Sequence, residues 1–315
     1  ILAQAQGRIL HESFVHVFIA TLLVRMRKVS LRTTTVLAIV LFLLCANAKR
    51  IPRKRNQNKR CHLPSLAALC STLRDLECFR NPETFLRSKW ANTQNIDSRK
   101  QVFVNFVKGM ASKKKKLKIE LGSAKEGPLL NEWYATDRAQ LDLFEAGDWV
   151  HAFGNVGVDA FFAEHVLEHF TPSQAKVVAA LAYLFLRPGG RVRIAVPDAY
   201  RPYEDYQYYV RAGGTPSGAG QNHMVVWSSD SMTPIFEELG FNVTLMEHFD
   251  QAGTFHQNPH AYDDEYSWGK VSRSKRHDDR NDPTSPRAHE WLGGNGFTSL
   301  WFDARKPLDC PEFSI

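Results

Sequence analysis

A chain of 315 residues with 43% hydrophobic and 23% charged content can bury one main core with appendages, which excludes a wholly disordered protein. Its formal charge of +7 is local, because Lys49–Arg60 (KRIPRKRNQNKR) holds seven basic residues and no acid. No aromatic residue interleaves with the lysines there or in Lys113–Lys116 and Lys118, so these runs read as solvated segments and nucleic-acid binding is not expected.

The chain opens on Ile1, and Met26 reads as the better start, with 1–25 as an upstream extension. Arg27, Lys28 and Arg32 then make a basic n-region, Val36–Cys45 (VLAIVLFLLC) an apolar h-region, and Ala46-Asn47-Ala48 a small-residue cleavage site. Together 26–48 resemble a secretory signal peptide. The apolar run is shorter than the ~20 residues that span a bilayer. Cleavage is therefore expected, or retention as a single-pass anchor that borrows Thr33–Thr35 and attaches the protein to a membrane through 33–48. Both place the protein in the secretory pathway or endomembrane lumen.

After the basic linker 49–60, residues 61–116 are expected to form a helical N-terminal cap. Leu63, Leu66, Leu69, Leu73 and Leu76 recur near helical spacing, and VFVNFVKGM follows. Cys45 belongs to the leader. Cys61, Cys70, Cys78 and Cys310 remain, either as two disulfides in any of three connectivities or as free thiols. None has the C-x-x-C spacing of a thiolate zinc site.

From Leu117 the pattern alternates. LKIELG, Trp133–Asp137 (WYATD) and Val158–Ala163 (VDAFFA) read as strands. Thr171-Pro172-Ser173-Gln174 combines an N-cap, a first-turn proline and a capping box before the helix KVVAALAYLFL. Arg187-Pro188-Gly189-Gly190 ends that helix, and RVRIAV makes a strand that stops at Pro197-Asp198. A helix over Ser231–Leu239, a strand FNVTLME and a final strand Thr298–Ala304 (TSLWFDA) follow. This order predicts an α/β fold: a Rossmann-like, doubly wound, mostly parallel sheet with an antiparallel C-terminal edge strand, plus the helical N-terminal segment. Within the main domain, 117–307, the stretch 250–296 is rich in His, Asp, Asn and Gly and reads as a polar lid. Residues 308–315 form a tail.

In an open α/β sheet, ligands bind beyond the carboxyl ends of the strands where strand order reverses. Gly122 ends the first strand and lets a ligand approach the backbone. No G-x-G-x-x-G follows, so the site suits a nucleoside without a pyrophosphate. Asp137 ends the second strand, where a carboxylate can accept from a ribose diol. Asp142 is placed to meet an adenine edge.

IELGSA, ATD, LDL, AEHVLEHF and LRPGGRVRIAVPD, taken together, resemble class I S-adenosylmethionine-dependent methyltransferases, nearest the type 11-like branch. The likeness spans roughly Leu117 to Pro307. Two departures stand out: Ala124 replaces the usual second glycine, and the link from Gly122 to Trp133 is too short for a crossover helix. The resemblance implies S-adenosylmethionine as cofactor. Glu120, Gly122, Ser123 and Ala124 would line its methionine part, Asp137 the ribose, Asp142 and Leu143 the adenine, and Glu164 and His165 the opposite wall. His169, Asp198 and His223 are candidates for the acceptor side, by position. The acceptor would be a small molecule or a glycan, with the aromatic run Tyr200–Val210 shaping its side of the pocket.

Three other readings compete. His165-Val166-Leu167-Glu168-His169 matches the H-x-x-E-H signature of zinc peptidases. That chemistry needs both histidines on one helix face, but His165 follows a strand and Thr171-Pro172 starts a new helix, so no metal site is expected. A methyltransferase-like fold that binds without catalysing is a second alternative. A luminal glycosyltransferase fits the N-terminus but wants a D-x-D-like motif, for which Asp263-Asp264 is a poor substitute.

Overall fold

The computed structural model describes residues 98–123, 127–129, 132–216, 220–282, 284–285 and 298–310. The leader, the basic linker, most of the N-terminal cap with Cys61, Cys70 and Cys78, Ala124 and the end of the tail lie outside them.

One sheet organises these residues. Its eight strands are β1 (Lys118–Glu120), β2 (Gly127–Pro128), β3 (Trp133–Ala135), β4 (Val158–Glu164), β5 (Leu186–Val196), β6 (Asn242–Phe249), β7 (Phe255–Gln257) and β8 (Leu300–Arg305). The order is β2-β3-β1-β4-β5-β8-β6-β7. β3, β1, β4 and β5 are mutually parallel, whereas β8 runs antiparallel to both β5 and β6. The last strand is thus antiparallel, as the sequence suggests, but it is inserted between β5 and β6 rather than placed at the margin. The margin beyond β6 is the short hairpin strand β7.

Helices α1 (Ser98–Ser112), α2 (Ala146–Phe153), α3 (Pro172–Phe185) and α5 (Ser229–Glu237) all contribute side chains to a single apolar cluster. In α1 the buried positions Phe103, Val104, Val107 and Met110 fall on one helical face. α2, which the sequence reading left unassigned, supplies Trp149, packed against Phe153, Phe161 and Phe185. α3 begins on the expected capping box: Thr171 Oγ1 accepts from Gln174 N, and Gln174 Oε1 accepts from Thr171 N. It ends at Phe185, and the strand starts at once, so Arg187-Pro188-Gly189-Gly190 belongs to β5. The register of β4 against β5 shifts between Val158 and Ala160 to admit that segment.

Strand side chains alternate between faces, and the two faces differ. Ile119, Phe161, Ala163, Val192, Ile194, Phe302 and Ala304 point into the helix-covered cluster. Their neighbours Ala160, Phe162, Ala195 and Trp301 meet Trp133, Ala261 and Val271 in a second, smaller cluster. The cover there is the 250–296 stretch, with the one-turn helix α6 (Glu265–Trp268), in place of a layer of long helices. α4 (Glu204–Val210), in the aromatic run, buries Tyr206 and leaves Tyr208 and Tyr209 exposed.

Charged side chains hold this polar cover to the sheet. Arg193, 1% exposed, makes a two-pronged pair with Asp303 (2.7 and 2.9 Å) and donates to Gly269 O at 2.7 Å. Arg191 also donates to Asp303 and stacks over the Trp268 ring at 3.9 Å. Fully buried Glu247 accepts from Tyr262 Oη, Thr298 Oγ1 and Lys275 N. Buried charges persist only when paired and hydrogen-bonded in this way.

Candidate cofactor and acceptor site

Leaving β1, the chain goes to β3 on one side and later returns to β4 on the other, so strand order reverses beside β1. Glu120, Gly122, Ser123, Asp137, Glu164 and His165 all gather at this crevice, at the carboxyl ends of β1, β3 and β4. Thr136 N and Oγ1 both donate to Glu120 O at 2.8 Å, and Ser123 N donates to Thr136 O at 2.9 Å, which locks the two strand ends together. Gly122 has φ +63°, and a Cβ there would lie 2.7 Å from Val166 Cγ1. Only glycine fits.

Asp137 is exposed, and a local turn orients it: its N donates to Gln140 Oε1, and its Oδ1 accepts from Arg138 N. Asp142 is more occupied. Its carboxylate accepts from Phe144 N at 3.0 Å and from Arg138 Nε at 3.1 Å, so it builds the turn that buries Leu143.

Across the crevice, Glu164 accepts from Ser272 Oγ (2.9 Å) and Arg273 N (2.7 Å). His165 adopts a left-handed conformation, φ +56°, uncommon for a residue with a side chain. Its N donates to Ala195 O at 2.8 Å, which fixes that backbone. Ser299 Oγ donates to Arg273 O, which leaves it to accept from His165 Nε2 at 3.0 Å. Ser272, Arg273 and Ser299 escaped the sequence reading, since contacts 108 and 134 positions apart leave no local signal. The same lid opens a cleft of about 310 Å³ between Ser272, Arg273, His277 and Arg280, near the lower limit for small-ligand sites.

The H-x-x-E-H residues do not share a helix. Leu167–His169 form one 3₁₀ turn, which puts Glu168 inward at 0% exposure. Burial alone would raise the Glu168 carboxyl, but His165 Nδ1, 3.1 Å from Oε1, and the His169 ring outweigh it and hold the carboxyl below its usual range. His169 and His223 stand edge to face with ring centroids 5.0 Å apart. His223 comes from the glycine-rich turn after α4. There Gly220, at φ +63°, leaves no room for a Cβ, which would lie 2.7 Å from Tyr209 O and 3.1 Å from His223 Nδ1.

Asp198 is brought to the end of β5 but not into the crevice. It is 0% exposed, and its carboxylate accepts from Tyr200 N at 2.9 Å and Phe249 N at 2.7 Å. Burial pushes its carboxyl up to about 6, against the opposing pull of those two amides and Arg201. Geometry makes it a strand-end brace rather than a group in contact with an acceptor.

No family model and no curated protein matches the chain. Solved structures do match. An S-adenosylmethionine-dependent methyltransferase from Archaeoglobus fulgidus shares 13% identity over 66% of this chain and 95% of its own, at a TM-score of 0.33. A 1,6-didemethyltoxoflavin-N1-methyltransferase from Burkholderia thailandensis shares 14% over 81% and 94%, also at 0.33. For phosphoethanolamine N-methyltransferase 2 from Haemonchus contortus the values are 14%, 61% and 49%, at 0.32. Superpositions this loose carry no argument of their own. The Rossmann-like fold rests on the strand order and the crevice.

Proposed function

We propose that the protein is an S-adenosylmethionine-dependent methyltransferase acting on a small molecule or glycan. One observation carries this reading: a side-chain-free strand end at Gly122, the Glu120 and Asp137 strand ends beside it, and Glu164 and His165 opposite all converge on the strand-order reversal. The crowding of Gly122 against Val166 keeps this strand end free of a side chain, and among the described residues no phosphate-binding helix follows β1, which suits a nucleoside sulfonium. Bound S-adenosylmethionine would supply an electrophilic methyl group.

The chain's own contribution would be positioning. Asp137, exposed and held by its turn, would accept from the ribose hydroxyls. Glu120 would face the methionine part and Glu164 the opposite wall. His223 donates Nδ1–H to Val210 O at 2.8 Å, which leaves Nε2 as the nitrogen that would serve the acceptor side.

Calorimetry with S-adenosylmethionine tests the proposal. Saturable binding is expected, weakened about tenfold or more, 1.4 kcal/mol or above, by Asp137→Ala and by Gly122→Ala. No heat at high micromolar cofactor in the unmodified protein overturns it. The capture of Glu164 and His165 by Ser272, Arg273 and Ser299 favours a second reading, a methyltransferase-like binding protein. Cofactor binding without any acceptor-dependent formation of S-adenosylhomocysteine would select it.

We also propose that the chain enters the secretory pathway, cleaved after 26–48 or anchored by it. Cys310 is disulfide-bonded, which suits an oxidising lumen. Among the described residues no helix is long and apolar enough to cross a membrane. N-terminal sequencing of the mature protein, with carbonate extraction of membranes, separates the two outcomes.

A further inference from the structure

The H-x-x-E-H stretch fails as a peptidase helix, yet the fold gives two of its residues a third companion. We infer that Glu168, His169 and His223 form a binding site for a single divalent transition-metal ion of the zinc or cobalt class. Their ligand atoms all lie within 4.8 Å of one another, and His223 Nε2 is 3.9 Å from Glu168 Oε1. Two ligands on a tetrahedral ion stand about 3.4 Å apart at ordinary bond lengths. Small side-chain rotations bring this set to that spacing.

Two further observations point to a cation. Glu168 is 0% exposed, and neither of its carboxylate oxygens has an aligned hydrogen-bond donor among the described residues. His165 Nδ1 is within 3.1 Å of Oε1, but Arg273 also donates toward that nitrogen at 3.3 Å. Its negative charge is held in place by the His165 and His169 rings rather than by aligned donors, which leaves both oxygens able to bind a cation.

The second observation is the histidine tautomers. His169 Nδ1 faces Asn222 O at 3.0 Å and His223 Nδ1 faces Val210 O at 2.8 Å. A carbonyl oxygen only accepts, so both rings carry their proton on Nδ1 and turn an Nε2 lone pair outward. Metal-bound histidines are oriented in this manner, with the second nitrogen donating to a carbonyl or carboxylate. The crowded Gly220 turn that delivers His223 adds to the preorganisation.

A two-histidine, one-carboxylate set leaves coordination positions open and selects borderline metals over magnesium or calcium. The site stands on these residues alone. Only its role, gripping the oxygen or nitrogen of an acceptor, rests on the methyl-transfer reading. In that role the ion would replace a general base by lowering the acceptor's pKa.

The test uses the purified full chain, stripped with chelator and titrated with Co²⁺ while visible absorption is followed, then with Zn²⁺ as competitor. One equivalent of Co²⁺ is expected to bind with ligand-field bands, and Zn²⁺ should displace it. Affinity should fall on the order of tenfold or more in His169→Ala and in His223→Ala. His169→Ala alters a residue at the solvent edge, so its circular dichroism and unfolding midpoint should match the parent and a binding loss cannot be ascribed to misfolding. The absence of saturable binding by the parent chain, or binding that both histidine variants leave unchanged, overturns the inference. The readout involves no S-adenosylmethionine, so calorimetry with that cofactor can fail or succeed independently.

Discussion

The two faces of the sheet are built by different physics from the same strands. On the helix-covered face, affinity comes from area: Trp149, Phe153, Phe161 and Phe185 interlock, and neighbouring helices add apolar side chains in bulk. The opposite face has fewer apolar contacts and draws its order from named charges, Arg193 with Asp303, Arg191 over Trp268, and Glu247 with three donors. Area-based packing tolerates conservative exchange and degrades gradually. A buried charge network fails when one member is removed, because its partners are stranded. The crevice lies along the border, with its β1 and β3 ends fixed by strand pairing and its Glu164 wall fixed by the charged cover.

Paired substitutions should separate the two designs most widely. Trp149→Ala and Asp303→Ala are each expected to cost about 3–5 kcal/mol in urea unfolding, one through a cavity and the other by stranding Arg193 and Arg191. The triple variant Arg191→Met/Arg193→Met/Asp303→Leu should lose much less than Asp303→Ala alone, a rescue for which Trp149 has no counterpart. If the triple variant is as unstable as the single, the second face is held by area after all.

Asp198 gives a smaller effect with a distinct pH signature. Its carboxyl titrates near 6 in the folded chain and near 3.8 in the unfolded one, because burial favours the neutral form. Between those values the folded state holds the proton more firmly. The Asp198 contribution to stability is therefore greatest below 3.8, declines as pH rises to about 6, and is level above. Asp198→Asn should remove that downward slope. It should also cost about 1–3 kcal/mol at neutral pH, since an amide offers only one oxygen to Tyr200 N and Phe249 N. An unchanged slope between pH 4 and 6 would refute this assignment. The smallest effect belongs to the helix-covered face: Thr171→Ala should cost about 1 kcal/mol by removing the α3 cap, with no pH or salt dependence.

Much of the helix-covered face was legible in the chain. The capping box at Thr171, the apolar run after it, the β4 and β6 strands and the antiparallel sense of β8 all carry local signals. The second face was not. Ala261, Tyr262, Trp268 and Val271 have no period, so the stretch that covers this face reads as a polar loop. The crevice shows the same split. Gly122 and Asp137 could be named because strand ends announce them. Ser272, Arg273 and Ser299 could not, because only tertiary folding brings them to Glu164 and His165. Asp142 was named for its place in LDLF and Asp198 for its place after a strand, and such positions predict proximity but not whether a carboxylate is already spent on backbone amides.

The insertion of β8 between β5 and β6 has a consequence for how the protein is made. β5 and β8 are joined by contacts 112 positions apart, and β6 touches the rest of the sheet only through β8. While the ribosome is still delivering the chain, β5 presents an open edge and the β6–β7 hairpin has nowhere to dock. Both edges expose unpaired backbone that can capture other chains. Closure must wait until residues 300–305 emerge, so a nascent chain stalled before Leu300 is a client for chaperones.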